Sequence, residues 1–129
     1  MSTPGHTMES ICMIAGDEEF VLTGDTLFLG DSGRPDLANK SNKDLTAKTL
    51  ASHLFDSLQK LKKLKDSCII LPTHGAGSAC GKKISSALCS TMKEQKETNV
   101  SLIINDKDEF IKEVTNELPP PPEYFYYNV

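Results

Sequence analysis

Three short segments of the sequence carry side chains that could hold a metal ion. His6 follows a Pro-Gly turn, Asp25 lies where an apolar β-type run ends in a glycine-bounded loop, and His74 comes after a second apolar run. Imidazole and carboxylate groups are the ligands expected for zinc or non-haem iron, and three rigid loops can bring one of each to a common point. Together the three segments indicate half of a metal site.

Residues next to these segments could support the site or contact a substrate. The Thr7 hydroxyl can form hydrogen bonds that orient the neighbouring His6. Gly75 and Gly77 are expected to serve the backbone geometry around His74, because glycine permits close approach and positive φ.

A long polar loop follows Asp25. From Gly30 to Asn42 the sequence is dominated by Gly, Asp, Ser, Arg, Pro and Asn, which is typical of an ordered functional loop or a flap. Within it, Arg34 and Asp36 can pair with each other and fix the loop, or they can contact an anionic substrate. The pair is the favoured interpretation.

The four cysteines are too widely spaced for paired C-x-x-C metal ligation. Cys12 and Cys68 lie in apolar runs, where a reduced thiol behaves as a small hydrophobe. Cys80 differs, because it lies among glycines ahead of an expected helix start, where a thiolate could be stabilised. A nucleophilic role for Cys80 is disfavoured, because no base partner is visible.

Length and composition are those of one soluble domain. The chain has 129 residues, 38% of them hydrophobic and 25% charged, with a net charge of -4. No apolar run approaches the roughly 20 residues that cross a bilayer, and no signal peptide is recognisable. We therefore expect a cytoplasmic protein that binds neither membranes nor nucleic acid.

The first half of the chain predicts a hairpin, a helix and a buried strand. Ser10 to Ala15 and Phe20 to Thr23 read as two strands around a turn at residues 16–19. Leucines at helical spacing predict a helix from about Leu45 to Leu64. Ser67 to Leu71 reads as a strand that is buried in the manner of a parallel or central one.

The second half predicts two helices and a tail. Apolar residues from Ile84 to Met92 recur at helical spacing. Asp106, with Glu109 three residues later, is expected to cap a further helix that ends before Pro119. We therefore divide the chain into a catalytic-type unit over 1–118 and a tail or interdomain linker, rich in proline and aromatic residues, over 119–129.

The order of three motifs resembles that of the metallo-β-lactamase superfamily. TPGHT at 3–7, TGDTLFLGDSGRPDL at 23–37 and LPTHGAGSACG at 71–81 carry the resemblance, which spans nearly the whole chain. GRPDL and HGAGSACG are similar to the persulfide dioxygenase-like members of that superfamily, which often carry rhodanese domains. The segment PPEYF at 121–125 resembles the link into such a domain.

This resemblance implies roles for the three candidate ligands. His6 matches the third histidine of the primary metal site, Asp25 its carboxylate ligand, and His74 the ligand of a second metal in two-metal hydrolases. In the dioxygenases a single Fe(II) is the rule, and its open positions can take a persulfide sulfur and dioxygen. Zn(II) is the alternative metal, with a thioester as substrate.

One motif of the family has no counterpart here. H-x-H-x-D-H, which precedes TPGHT and supplies the other metal ligands, is absent from the sequence, and His53 does not replace it. We therefore expect the C-terminal half of a larger catalytic domain. Alone, it should be inactive, should bind metal weakly or not at all, and should expose apolar sheet surface that the N-terminal half would cover.

The predicted fold class is α/β, the second half of the αββα metallo-β-lactamase fold, with a small mixed sheet and helices on one face. The favoured parent activity is iron-dependent persulfide dioxygenase. A glyoxalase-II-like thioester hydrolase with two metals and a non-catalytic assembly module are the alternatives. In the last case a second copy or another partner would cover the sheet.

Overall fold

The computed structural model describes residues 1–37, 46–75 and 78–116, together with residues 120 and 123. Four strands form one sheet: β1 (Met13–Ala15), β2 (Phe20–Gly24), β3 (Ile69–Pro72) and β4 (Ser90–Thr91). Four helices accompany it: α1 (Ala47–Leu61), α2 (Met92–Thr98), α3 (Val100–Ile103) and α4 (Lys107–Thr115). None of the helices in these ranges is long and apolar enough to cross a membrane.

The sheet is mixed and has the strand order β1-β2-β3-β4. β1 and β2 form the predicted antiparallel hairpin, with Met13 opposite Leu22. β2 and β3 are parallel, and α1 lies in the connection between them. β3 and β4 are antiparallel. The predicted fold class, a small mixed sheet with helices packed on one face, is confirmed.

The two faces of the sheet differ sharply in exposure. Val21 and Ile70 are adjacent in the register, and both are fully buried on the face that packs against the helices. On the opposite face Met13, Leu22 and Leu71 form a row across three strands, 56%, 39% and 37% exposed. The central, parallel placement predicted for the strand is confirmed, but its burial on both faces is wrong within this chain.

Helix α1 covers the buried face of the sheet. Its side-chain cap Thr46 accepts a hydrogen bond from the Thr49 amide at 3.1 Å, and the leucine stripe of the sequence is buried against the core. The Phe55 ring packs on Phe110 of α4 with 5.5 Å between ring centroids. Residues 38–45 lie outside the described ranges, so the predicted start at Leu45 is not tested.

The prediction of a helix from Ile84 to Met92 is wrong. This segment is a loop that ends in β4, and α2 begins only at Met92. The Asp31 carboxylate accepts hydrogen bonds from the backbone amides of Lys82 and Lys83. The Ser85 amide donates a hydrogen bond to the Leu29 carbonyl at 2.7 Å. These long-range bonds tie the segment to the loop after β2, and Leu88, on the expected apolar face, is 90% exposed, so no packed face favours a helix there.

The predicted cap of the last helix is confirmed, because the Glu109 amide donates to the Asp106 carboxylate at 2.9 Å. Residues 117–119, 121–122 and 124–129 lie outside the described part of the chain. The proposed division at residues 118 and 119, and the tail itself, therefore stay predictions.

Candidate metal centre

The carboxylate of Asp25 lies at the carboxyl end of β2, where Gly24 turns the chain with a φ of +52°. The parallel strand β3 ends beside it, because Gly24 is opposite Pro72 in the register. His74 follows two residues later, and its Nε2 lies 3.2 Å from Asp25 Oδ1. The parallel pairing thus brings two of the predicted ligands together.

His6 approaches the same carboxylate from the other side. Its Nε2 lies 3.6 Å from Asp25 Oδ2, and its ring is buried. Nδ1 lies 2.9 Å from the carbonyl oxygen of Arg34, which can only accept a hydrogen bond. Nδ1 therefore carries a proton, and Nε2 is the nitrogen that faces Asp25.

The donor set fits a metal ion. Asp25 Oδ1 is buried and forms no hydrogen bond within the described residues. A buried carboxylate oxygen that forms no hydrogen bond is costly, and a cation bound between it and the nearby His74 or His6 nitrogen would satisfy it. His6, Asp25 and His74 offer the nitrogen and oxygen donors that zinc and non-haem iron accept.

Cys80 also reaches this centre. One ligand atom from each of His6, Asp25 and Cys80 lies within 4.8 Å of the other two. Burial raises the pKa of the Cys80 thiol, and the Asp25 carboxylate adds to this effect, although the Ser78 hydroxyl and Arg34 oppose it. The helix predicted to start just after Cys80 is absent, because the next helix begins at Met92, so no helix terminus stabilises the Cys80 thiolate.

Arg34 and Asp36 form the predicted pair. Arg34 Nε and Nη2 each donate to an Asp36 carboxylate oxygen at 2.8 Å, and Nη1 donates to the Ala79 carbonyl at 3.3 Å. The Arg34 side chain is 1% exposed, so it lies inside the protein rather than on a surface that a substrate could reach. The geometry favours the fixing of the loop.

Gly33 is a site residue that sequence reasoning missed. A Cβ at this position would overlap the Asp25 carbonyl oxygen and would lie 3.0 Å from the His6 Cβ. Only glycine lets the loop pass between these two candidate ligands. The only sequence indication of its importance was its position in the GRPDL segment, because its contacts with Asp25 and His6 depend on tertiary structure.

The remaining candidates are Thr7, Gly75 and Gly77. The Thr7 hydroxyl is hydrogen-bonded to the Ser10 hydroxyl at 3.0 Å, so it supports the turn that carries His6. A Cβ on Gly75 would meet no atom within 4 Å, so glycine is not sterically required there. Gly77 lies outside the described residues.

The metallo-beta-lactamase superfamily model matches residues 1–74, a range that begins before His6 and ends at His74. This range is more than half of the chain, and the chain therefore belongs to the metallo-β-lactamase superfamily. The sequence-based recognition of this family is confirmed.

Two solved structures are similar along almost the whole chain. A metallo-beta-lactamase from Staphylococcus aureus subsp. aureus COL matches with a TM-score of 0.86 and 35% identity, over 98% of this chain and 37% of that one. ETHE1 from Myxococcus xanthus matches with a TM-score of 0.76 and 30% identity, over 98% of this chain and 48% of that one.

The curated relatives are considerably longer than the match. A protein from Mycobacterium leprae is 41% identical over 80 residues, which are 61% of this chain and 33% of that protein. Hydroxyacylglutathione hydrolase from Pseudoalteromonas translucida is 36% identical over 74 residues, 57% of this chain and 24% of that protein. The chain thus spans about one third, or less, of the curated relatives that it matches.

Proposed function

We propose that this chain is part of a metal-dependent enzyme whose activity is persulfide dioxygenation with non-haem Fe(II). The observation that carries the proposal is the position of Asp25, whose two carboxylate oxygens face His6 and His74 and whose Oδ1 is otherwise without a partner. The similarity to ETHE1, together with the resemblance of GRPDL and HGAGSACG to the persulfide dioxygenase-like proteins, supports the choice of reaction.

The residues of the chain would have separate roles at the metal. His6 and Asp25 hold the metal, and the Arg34 carbonyl keeps His6 in the tautomer whose Nε2 is free to bind. Bound Fe(II) with open positions supplies a place where a persulfide sulfur and dioxygen can bind side by side. His74, which is partly exposed, lies beside Asp25 and would be available to contact a substrate.

The 129 residues alone are not expected to turn over a persulfide. The sequence contains no H-x-H-x-D-H stretch, so the ligands that the resemblance assigns to that motif would come from outside it. A coordination sphere with few protein ligands binds metal weakly. We therefore assign the activity to a longer protein that includes both halves of the site.

The test uses the protein that carries this sequence, purified after growth with supplemented iron. We expect about one iron per chain and consumption of dioxygen when glutathione persulfide is added, with sulfite as the product. Asp25→Ala should abolish iron retention and oxygen uptake, whereas Asp17→Ala, which changes a carboxylate 91% exposed beside Lys65, should change neither. Iron-loaded protein that consumes no oxygen with any persulfide would refute the proposal.

A two-metal thioester hydrolase is the second candidate. The specific observation is that Oδ1 of Asp25 faces His74 while Oδ2 faces His6, so the carboxylate lies between two histidines that would each hold one metal ion of a pair. The similarity to hydroxyacylglutathione hydrolase supports this alternative. Two zinc ions per chain, with hydrolysis of a glutathione thioester and no oxygen uptake, would favour it.

A third candidate is a non-catalytic assembly module. The row of Met13, Leu22 and Leu71 leaves one sheet face apolar and solvent-exposed, and this face borders a groove of about 410 Å³ that also includes Ile11. Surfaces of this kind mark interfaces. Its occupant would be a second copy or the N-terminal half of a related domain.

A further inference from the structure

We propose that the sulfur of Cys80 is a ligand of the metal held by His6 and Asp25, so that the centre is a mixed nitrogen, oxygen and sulfur site. This inference rests on the proposed function only in requiring that a metal binds at Asp25. Neither the sequence motifs nor the comparisons assign a role to the Cys80 sulfur. A thiolate ligand would strongly affect which metal the site prefers.

The ligand atoms of His6, Asp25 and Cys80 are close enough together to surround a metal ion. The three ligand atoms lie within 4.8 Å of one another, and donors around a tetrahedral zinc ion are separated by about 3.3–3.7 Å, given metal bonds of about 2.0–2.3 Å. Movements of about an ångström would therefore close the set around an ion. Such movements are within the reach of a side-chain rotation at Cys80, which is only half-buried.

Hydrogen bonds hold the backbone of Cys80 in place relative to His6. The Arg34 amide donates to the Cys80 carbonyl at 2.9 Å, and the Cys80 amide donates to the Ser78 hydroxyl at 3.1 Å. The carbonyl of the same Arg34 accepts the Nδ1 proton of His6. One buried residue thus fixes the backbone of Cys80 and the ring of His6 relative to each other, as a preorganised ligand pair requires.

The Asp25 carboxylate supports a cation at this position independently of the cysteine. Its Oδ1 is buried and forms no hydrogen bond within the described residues, although His74 Nε2 lies 3.2 Å away, and a bound cation would satisfy it. His74 contacts Asp25 but is not a member of the group of three mutually close ligand atoms. Cys80, rather than His74, therefore completes that group. On metal binding the S–H bond breaks, the sulfur binds the cation, and the proton leaves to solvent.

Cobalt(II) is the probe, because a thiolate bound to cobalt gives a sulfur-to-metal charge-transfer band in the near ultraviolet. The 129-residue chain, carrying Cys89→Ser to remove its exposed cysteine, is titrated with cobalt(II) under reducing, anaerobic conditions. We expect the band to appear and to saturate with excess cobalt, at one cobalt per chain. Cys80→Ser in the same background should abolish the band and weaken cobalt and zinc binding by at least about tenfold.

Two further variants separate the possible failures. His6→Ala should remove binding altogether, and far-ultraviolet circular dichroism establishes that each variant is folded. If cobalt binds in a His6-dependent manner without a Cys80-dependent band, the thiolate ligand is refuted while the metal site stands. If the folded chain binds no cobalt at all, the thiolate ligand is refuted for this chain, and metal analysis of the longer protein then decides the proposed function separately.

Discussion

The backbone carbonyl of Arg34 accepts a hydrogen bond from Nδ1 of His6 at 2.9 Å. This bond selects the imidazole tautomer and turns Nε2 toward the carboxylate of Asp25. Arg34 is itself buried and held through its side chain by Asp36. The loop that contains Arg34 therefore supports the candidate metal centre through its backbone.

Replacing Gly33 with alanine should damage the centre, because the added methyl group would overlap the Asp25 carbonyl. We expect a loss of about 1–3 kcal/mol in the free energy of unfolding and at least tenfold weaker metal binding, measured by denaturant titration and calorimetry. Gly75→Ala is the control, since its Cβ would meet open space. Equal effects of the two substitutions would contradict this account.

Asp36→Asn should destabilise the loop, because Arg34 would lose its bidentate carboxylate partner inside the protein. The expected cost is about 1–3 kcal/mol in urea unfolding. Asp17→Asn breaks a pair with Lys65 that is largely exposed, and it should cost less than about 1 kcal/mol. A cost for Asp36→Asn no larger than that of the control would show that the buried pair does not hold the loop.

The sequence predicts the candidate metal ligands better than it predicts the residues that hold them in position. His6, Asp25 and His74 stand out because each follows a turn or a strand end, and such positions converge when strands are parallel. Gly33 does not stand out, and Cys80 stands out only as a thiol near an expected helix start, because their contacts with His6 and Asp25 join loops far apart in the chain. No local pattern reports such contacts.

The failed helix prediction has a similar cause. Ile84 and Leu88 have the spacing of a helical face, yet Leu88 is 90% exposed. The amides of this segment are instead bonded to Asp31 and Leu29 on the loop after β2. For α1 the leucine spacing predicts the helix correctly. There the apolar stripe is buried in the same core as the sheet, so tertiary packing and local helix propensity favour the same structure.

Leu22→Lys should reduce self-association, because Leu22 is the central member of the exposed apolar row between Met13 and Leu71. We expect sedimentation velocity to show concentration-dependent association of the unaltered chain and a monomer for the variant. Leu88→Lys is the matched control, since Leu88 is equally apolar and 90% exposed but lies outside this row. A monomeric unaltered chain at all concentrations would argue against an assembly role.

The stability of the fold should fall at alkaline pH because of Cys12. Burial raises the pKa of this thiol in the folded chain, with partial opposition from Thr3 and Thr26. The folded state therefore holds the proton more tightly than the unfolded state. Its contribution is complete below the ordinary thiol pKa of about 8.5 and is lost as the pH rises through the folded value.

Denaturant unfolding at pH 7 and pH 10 measures this effect. Cys68 contributes in the same direction, because burial also raises its pKa. The decline should be smaller in a Cys12→Ala variant, even though that variant is less stable at pH 7. An identical decline in both proteins would assign the alkaline effect to other groups.

The parallel pairing of β2 with β3 has a consequence for how the centre comes into being. Asp25 and His74 are separated by the long loop after β2 and by all of α1, so their meeting requires closure of most of the intervening chain. Such non-local pairing is the slow part of folding. The ability to bind metal therefore reports completion of the sheet, and a nascent chain acquires it only after β3 has docked.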